Sequence, residues 1–155
     1  MKEKLSILLG YIEQQKDNIS AICLKLNDIK PLNEDKMIHA AYLLHNLYSA
    51  YEDMFKEISM AFENNIDRNE GFHKNLLFRM KIKIPGIRPP VITEDSYNIL
   101  LELLGFRHVF RHAYNYSLQA EKMERLRKLI LENYENIESD IETFRKSLEN
   151  EINRE

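Results

Sequence analysis

The sequence predicts an all-α fold, an up-and-down bundle of four long helices and a short one. Three observations lead there. Only four Gly and four Pro occur in 155 residues, so turns are few and elements are long. Apolar residues recur at steps of three and four along most of the chain, the spacing of one face of a helix. No stretch carries the two-residue alternation of a half-buried strand. The length fits one domain over residues 1–155, with enough chain to bury a core without disulfides.

The first helix is expected from Lys2 to Leu26, on Leu5, Leu8, Leu9, Ile12, Ile19, Ile22 and Leu26. Residues 27–33 contain Pro31 and form a turn. Asn33 then caps a second helix with Glu34 and Asp35 in its first turn, where acidic groups meet the positive end of the helix dipole. Met37, Ala40, Ala41, Leu44, Tyr48, Tyr51, Phe55, Ile58 and Phe62 carry that helix to Glu63. The loop NNIDRNEG ends at Gly71, and a short helix follows over His73 to Lys81. KIKIPGIRPPVI holds three prolines and cannot be a helix interior. Thr93 restarts the pattern as an N-cap. Tyr97, Leu100, Leu101, Leu104 and Val109 extend the fourth helix into a basic motif, where Asn115 can help end it. The last helix covers Ala120 to Asn150 on Met123, Leu126, Ile130, Tyr134, Ile137, Ile141, Phe144 and Leu148.

Composition narrows the function classes. Hydrophobic residues make up 44% and charged residues 30%, as in a soluble globular protein. No apolar run approaches the roughly 20 residues of a membrane span. The N-terminal apolar run is broken at once by Glu13, Lys16 and Asp17, so no signal peptide is expected and a cytoplasmic location is. The single cysteine, Cys23, excludes an internal disulfide and sits among apolar neighbours, as a buried small hydrophobe would. There is no Gly-rich phosphate loop, no HExxH and no CxxC, so neither nucleotide hydrolysis nor a metal site is indicated. Net charge is −3, but it is uneven: residues 68–112 carry eight Lys/Arg against four Asp/Glu, a surplus of four positive charges in an otherwise acidic chain. A polyanion partner belongs there if anywhere.

Within that zone lies FRHVFRHAYNY, residues 106–116, with two arginines, two histidines and two tyrosines. Two readings are open from the residues alone. Arg111 and His112 can simply complement the negative end of a helix dipole. Alternatively, the group is a chemical toolkit for RNA. Metal-free cleavage requires a base for the 2′-hydroxyl proton, a cation for the phosphorane and an acid for the leaving oxygen. Histidine titrates in the useful range, and arginine offers a planar fork that matches phosphate oxygens. On a regular helix Arg107 and His112 diverge by roughly 140°. Convergence then calls for a loosened helix end, or for a two-fold dimer in which each chain completes the other's cleft.

Arg107, His112 and Tyr114 form R-x4-H-x-Y. The surrounding IPGIRPPVITEDSYNILLELLGFRHVFRHAY, residues 84–114, resembles the HepT-like ribonuclease toxins of the HEPN superfamily. The resemblance implies a HEPN-type helical bundle, dimeric, acting as a metal-independent endoribonuclease without a cofactor. It makes Arg107 and His112 the catalytic pair. It makes Tyr114 the acceptor of AMP, transferred from ATP by a minimal nucleotidyltransferase antitoxin that silences the toxin. Nucleotide phosphates beside Arg107 would occupy the cation with an internal anion. Arg111, His108, Lys83 and Arg88 are the expected RNA contacts, with Arg79 and Lys81 in the same basic zone. Two positions depart from the family pattern: His108 stands where many members carry Asn or Asp, and Asn115 where Gly is frequent. The alternative function is a non-catalytic module of the same fold that partners the nucleotidyltransferase.

Overall fold

The structure, a computed structural model, describes residues 1–30, 33–64, 70–112 and 120–154, with backbone alone for Arg111 and His112. Five helices follow in order: α1 Lys2–Asp28, α2 Glu34–Glu63, α3 Phe72–Lys81, α4 Glu94–His112 and α5 Ala120–Arg154. Among the described residues there is no strand, only an isolated bridge between Ile84 and Arg88. The expected all-α bundle of four long helices and a short one is therefore present.

The centre of the bundle is α2, which packs against all four other helices. Its sequence explains why. Ala40, Ala41, Leu43, Leu44, Leu47, Tyr48, Tyr51, Met54, Phe55 and Ile58 are all buried, and they spread round most of its circumference. A helix that is apolar nearly all round belongs in the interior. By contrast, α5 keeps one narrow buried row, Met123, Ile130, Ile137, Ile141, Phe144, Leu148 and Ile152, and covers the bundle from outside. Ile152 continues the row by one more turn, so α5 runs beyond the expected end at Asn150 to Arg154.

Side chains set the helix ends. The Asn33 carboxamide oxygen accepts from the Lys36 backbone N–H at 2.9 Å, the expected N-cap of α2. The Thr93 hydroxyl accepts from Ser96 N–H at 3.4 Å at the start of α4. Asp140 of α5 then accepts from both the N–H and the hydroxyl of Thr93, at 2.9 and 2.8 Å, so this cap also ties α4 to α5. At the far end of α1, Arg127 of α5 donates from Nε to Leu26 O at 2.9 Å and from Nη2 to Asn27 O at 2.7 Å. Neither carbonyl has the partner four residues on that the helix interior provides; besides Arg127, Leu26 O accepts only from the capping Ile29 N–H at 3.4 Å, and the buried cation completes the end.

The proline-rich segment between α3 and α4 is a tight turn. Ile84 O accepts from Ile87 N–H at 3.0 Å, Pro85 takes the second position, and Gly86 the third with φ 76°. That is the type II pattern, which needs a residue free to enter positive φ. Val91 and Ile92 N–H both return to Met80 O, closing the end of α3 while their side chains enter the core.

Candidate functional site

The fourth helix directs one face at α2. Leu100 and Leu103 are fully buried on that face, and Arg107 follows Leu103 by one turn, half-buried at the edge of the core. One further turn on, Phe110 meets the His45 ring of α2 at 5.4 Å between centroids and stacks with Phe106 at 6.0 Å. Helical spacing alone brings Arg107 to α2, because residues four apart share a face.

Opposite Arg107, α2 offers an unusual row for a core helix: His45, Tyr48, Glu52 and Lys56 at steps of three and four. Tyr48 is 1% exposed and Glu52 4%. A carboxylate so enclosed must be compensated. Three groups do so. The Tyr48 hydroxyl donates to it. His73 Nδ1 of α3 lies 2.7 Å from Glu52 Oε2. Lys56 Nζ stands 3.5 Å from Oε1 and also over the Phe72 ring, at 5.3 Å from its centroid. Burial pushes the Tyr48 phenol well above its ordinary range, and the Glu52 charge and hydrogen bond add to the effect, while Arg107 opposes it. Tyr48 therefore stays protonated and keeps its donor on Glu52. Arg107 Nε is enclosed and, among the described residues, has no hydrogen-bond partner.

The other expected site residues divide sharply. The α4 backbone is helical through His112, so no loosening separates Arg107 from His112. Arg111 and His112 have described backbone only, and Tyr114 and Asn115 lie outside the described residues. His108 and Lys83 are exposed. Arg88 requires a correction. Its side chain is wholly buried, with Nη1 donating to Ile82 O and Pro89 O, and Nη2 to Arg79 O and Glu63 Oε1. It fastens the loop to α2 and α3 and offers nothing to a nucleic acid. Arg79 shares Glu63 Oε1 at 3.0 Å, and Lys81 pairs with Glu94 at 3.0 Å while lying over the Phe78 and Tyr97 rings. Of the surplus of four read from residues 68–112, Glu63 thus offsets one charge from outside the zone, while the Lys81–Glu94 pair is already balanced within it.

Beside the motif, on the flank shared with α5, a hollow of about 520 Å³ is lined by Phe106, Val109, Met123 and Leu126 together with the charged Glu102, Lys122 and Arg125. Val109 is 56% exposed there. No group of three or more His, Cys, Asp or Glu able to hold a metal ion occurs among the described residues. No helix among them is long and apolar enough to cross a membrane.

Sequence reasoning missed Tyr48, Glu52, Lys56 and His73. Tyr48 stands in the apolar stripe of the second helix, and His73 opens the short third helix with no motif around it. The available signal was a glutamate in an otherwise apolar stripe, one turn after a tyrosine. Its pairing with His73, 21 residues away across a loop, could not be read from spacing.

A family model described as HepT-like protein matches residues 39–148, which include most of α2, the polar row and the R-x4-H segment. No curated protein and no solved structure gives a significant match.

Proposed function

The chain belongs to the HepT-like family of the HEPN superfamily, and from that membership we propose that it is a metal-independent endoribonuclease toxin. The observation that carries the proposal is Arg107: it heads the R-x4-H-x-Y segment within the family match and is held at the seam of α2 and α4. In the proposed reaction a general base removes the proton of a ribose 2′-hydroxyl, and the freed oxygen attacks the adjacent phosphorus. Arg107 neutralises the phosphorane oxygens. The bond from phosphorus to the 5′-oxygen breaks, and a general acid delivers a proton to that oxygen. One fragment ends in a 2′,3′-cyclic phosphate and the other begins with a 5′-hydroxyl. His112 supplies proton transfer.

The unbroken α4 makes a dimer the simpler way to gather these groups. Positions 107 and 112 lie roughly 140° apart around the axis of one continuous helix, so a single chain places them on different sides of it. Val109 lies between them in sequence and is exposed on the hollow, whose lining mixes apolar and charged side chains, and this flank is the proposed dimer face. Silencing is proposed to run through Tyr114, to which a minimal nucleotidyltransferase transfers AMP. The enclosed Arg107 Nε also favours a second reading, in which the bundle only binds that nucleotidyltransferase and Arg107 is structural.

Arg107→Ala and His112→Ala chains test the assignment. Each should remain folded and dimeric and lose RNA cleavage by about 100-fold or more, the scale of an electrostatic or acid–base contribution. Unfolding of both variants, or retained cleavage, would remove the catalytic pair. Tyr114→Phe should keep cleavage and resist inactivation by the nucleotidyltransferase with ATP; inactivation with AMP on another residue would displace Tyr114.

A further inference from the structure

We propose that a second copy of the chain docks on the hollow between α4 and α5 through reciprocal ion pairs, Glu102 of each copy meeting the partner's Arg125. The proposal rests on the reading of this flank as the dimer face, and it names the groups that hold the two copies together. Glu102, Gly105 and Val109 follow one another at steps of three and four, so α4 turns them to one side, and all three are exposed. On the α5 side the same hollow is lined by Lys122 and Arg125, one turn apart and also exposed. Between the two sets lie Phe106 and Leu126, both partly buried. Among the described residues, Glu102, Lys122 and Arg125 form no ion pair within the chain. Glu124, next to Arg125 in sequence, is engaged by Arg127, whose Nη1 lies 3.1 Å from its Oε1. Both signs of charge thus line one hollow, and neither neutralises the other.

The pattern of charge selects the occupant. RNA would bring phosphates against Glu102. A partner with a uniformly basic surface would meet Lys122 and Arg125. A two-fold copy carries both signs by construction, because whatever α4 presents to the partner's α5, the partner's α4 presents in return. Each pair is then made twice per dimer, at the rim of an apolar centre. Arginine suits this place, since its planar fork takes both oxygens of a carboxylate. Gly105 lets the copies come close: no packed neighbour lies within 4 Å of the place a Cβ would take, so the α4 backbone is open to a partner helix there. Single exposed charges are ordinary on any helix. Unpaired charges of opposite sign on the two helices of one apolar-centred hollow make a self-complementary surface.

The test uses the full chain as Glu102→Arg, as Arg125→Glu, and as the two variants mixed in equal amounts. Sedimentation gives each dissociation constant, and native mass spectrometry separates the species of the mixture by mass. Both substituted positions are exposed, and circular dichroism checks that helix content is kept. Alone, each variant sets like charges across the interface, and its dissociation constant should rise about tenfold or more. In the mixture, the introduced arginine of one variant meets the introduced glutamate of the other, and the native Glu102 and Arg125 meet on the second side. Heterodimers should therefore form as tightly as the wild type and outnumber both homodimers. Single variants that dimerise like the wild type, or a statistical mixture of homodimers and heterodimers, overturn the proposal. Val109→Glu keeps the two readings apart. If it dissociates the dimer and the charge variants do not, the flank is the interface and the ion pairs are wrong; if it too leaves the dimer intact, the flank itself is wrong. A monomeric wild type overturns both, and loss of nucleotidyltransferase binding in the charge variants of that monomer would assign the hollow to the nucleotidyltransferase instead.

Discussion

Arg88 and Lys83 carry the same charge in the same segment, yet the fold gives them opposite surroundings. Lys83 is exposed, while the Arg88 side chain is enclosed and divided among three carbonyls and Glu63. Arg88→Ala should therefore lower stability, by about 3–5 kcal/mol as for a broken buried pair, because Glu63 loses a partner in the interior. Urea unfolding measures this, and unchanged stability with weakened RNA affinity would restore Arg88 as an RNA contact. Cys23 makes a second residue-level case. Burial, with the charge of Glu138, pushes its thiol up to about 12. The folded chain should resist alkylation at pH 8, and labelling should appear only on unfolding; fast labelling of the native state would contradict the buried placement. Sequence neighbours sufficed to place Cys23, because helical apolar context predicts burial. They did not suffice for Arg88, since a turn through Gly86 is what folds it inward.

At the scale of elements, periodicity and end signals made the helices legible. The Asn33 and Thr93 caps and the prolines between α3 and α4 mark boundaries that the structure reproduces. Connections between helices were not legible, because they depend on side chains that the fold, not the spacing, brings together. Asp140 on the Thr93 cap is one example. The seam between α1 and α5 is another, where Lys16 and Arg145 converge on Glu142. Hydrogen bonds from Arg145 and then Lys16 hold the Glu142 carboxyl well below its ordinary 4.5, at about 2. A depressed folded-state value stabilises fully above 4.5 and is lost as pH falls from there toward about 2. Glu142→Gln should flatten that part of the acid unfolding curve. An unchanged curve would show that the seam contributes nothing measurable, as many surface pairs do. The candidate site divides along the same line. R-x4-H-x-Y stands in the sequence, whereas the polar row of Tyr48, Glu52 and His73 exists only once α2, α3 and α4 meet.

For the molecule as a whole, the proposed chemistry depends on assembly. A continuous α4 separates Arg107 from His112 around its axis, and the hollow beside Val109 is the proposed contact between chains. Val109→Glu should give monomers in sedimentation and reduce cleavage, with helical content retained; an active monomer would place the whole site within one chain. The most direct measurement is end-group analysis of RNA incubated with the purified wild-type protein in excess EDTA, with mass spectrometry confirming an unmodified Tyr114. The account predicts fragments ending in 2′,3′-cyclic phosphate, absent with Arg107→Ala and His112→Ala. Intact RNA, or fragments with 3′-hydroxyl ends that appear only when a divalent metal is restored, would contradict it.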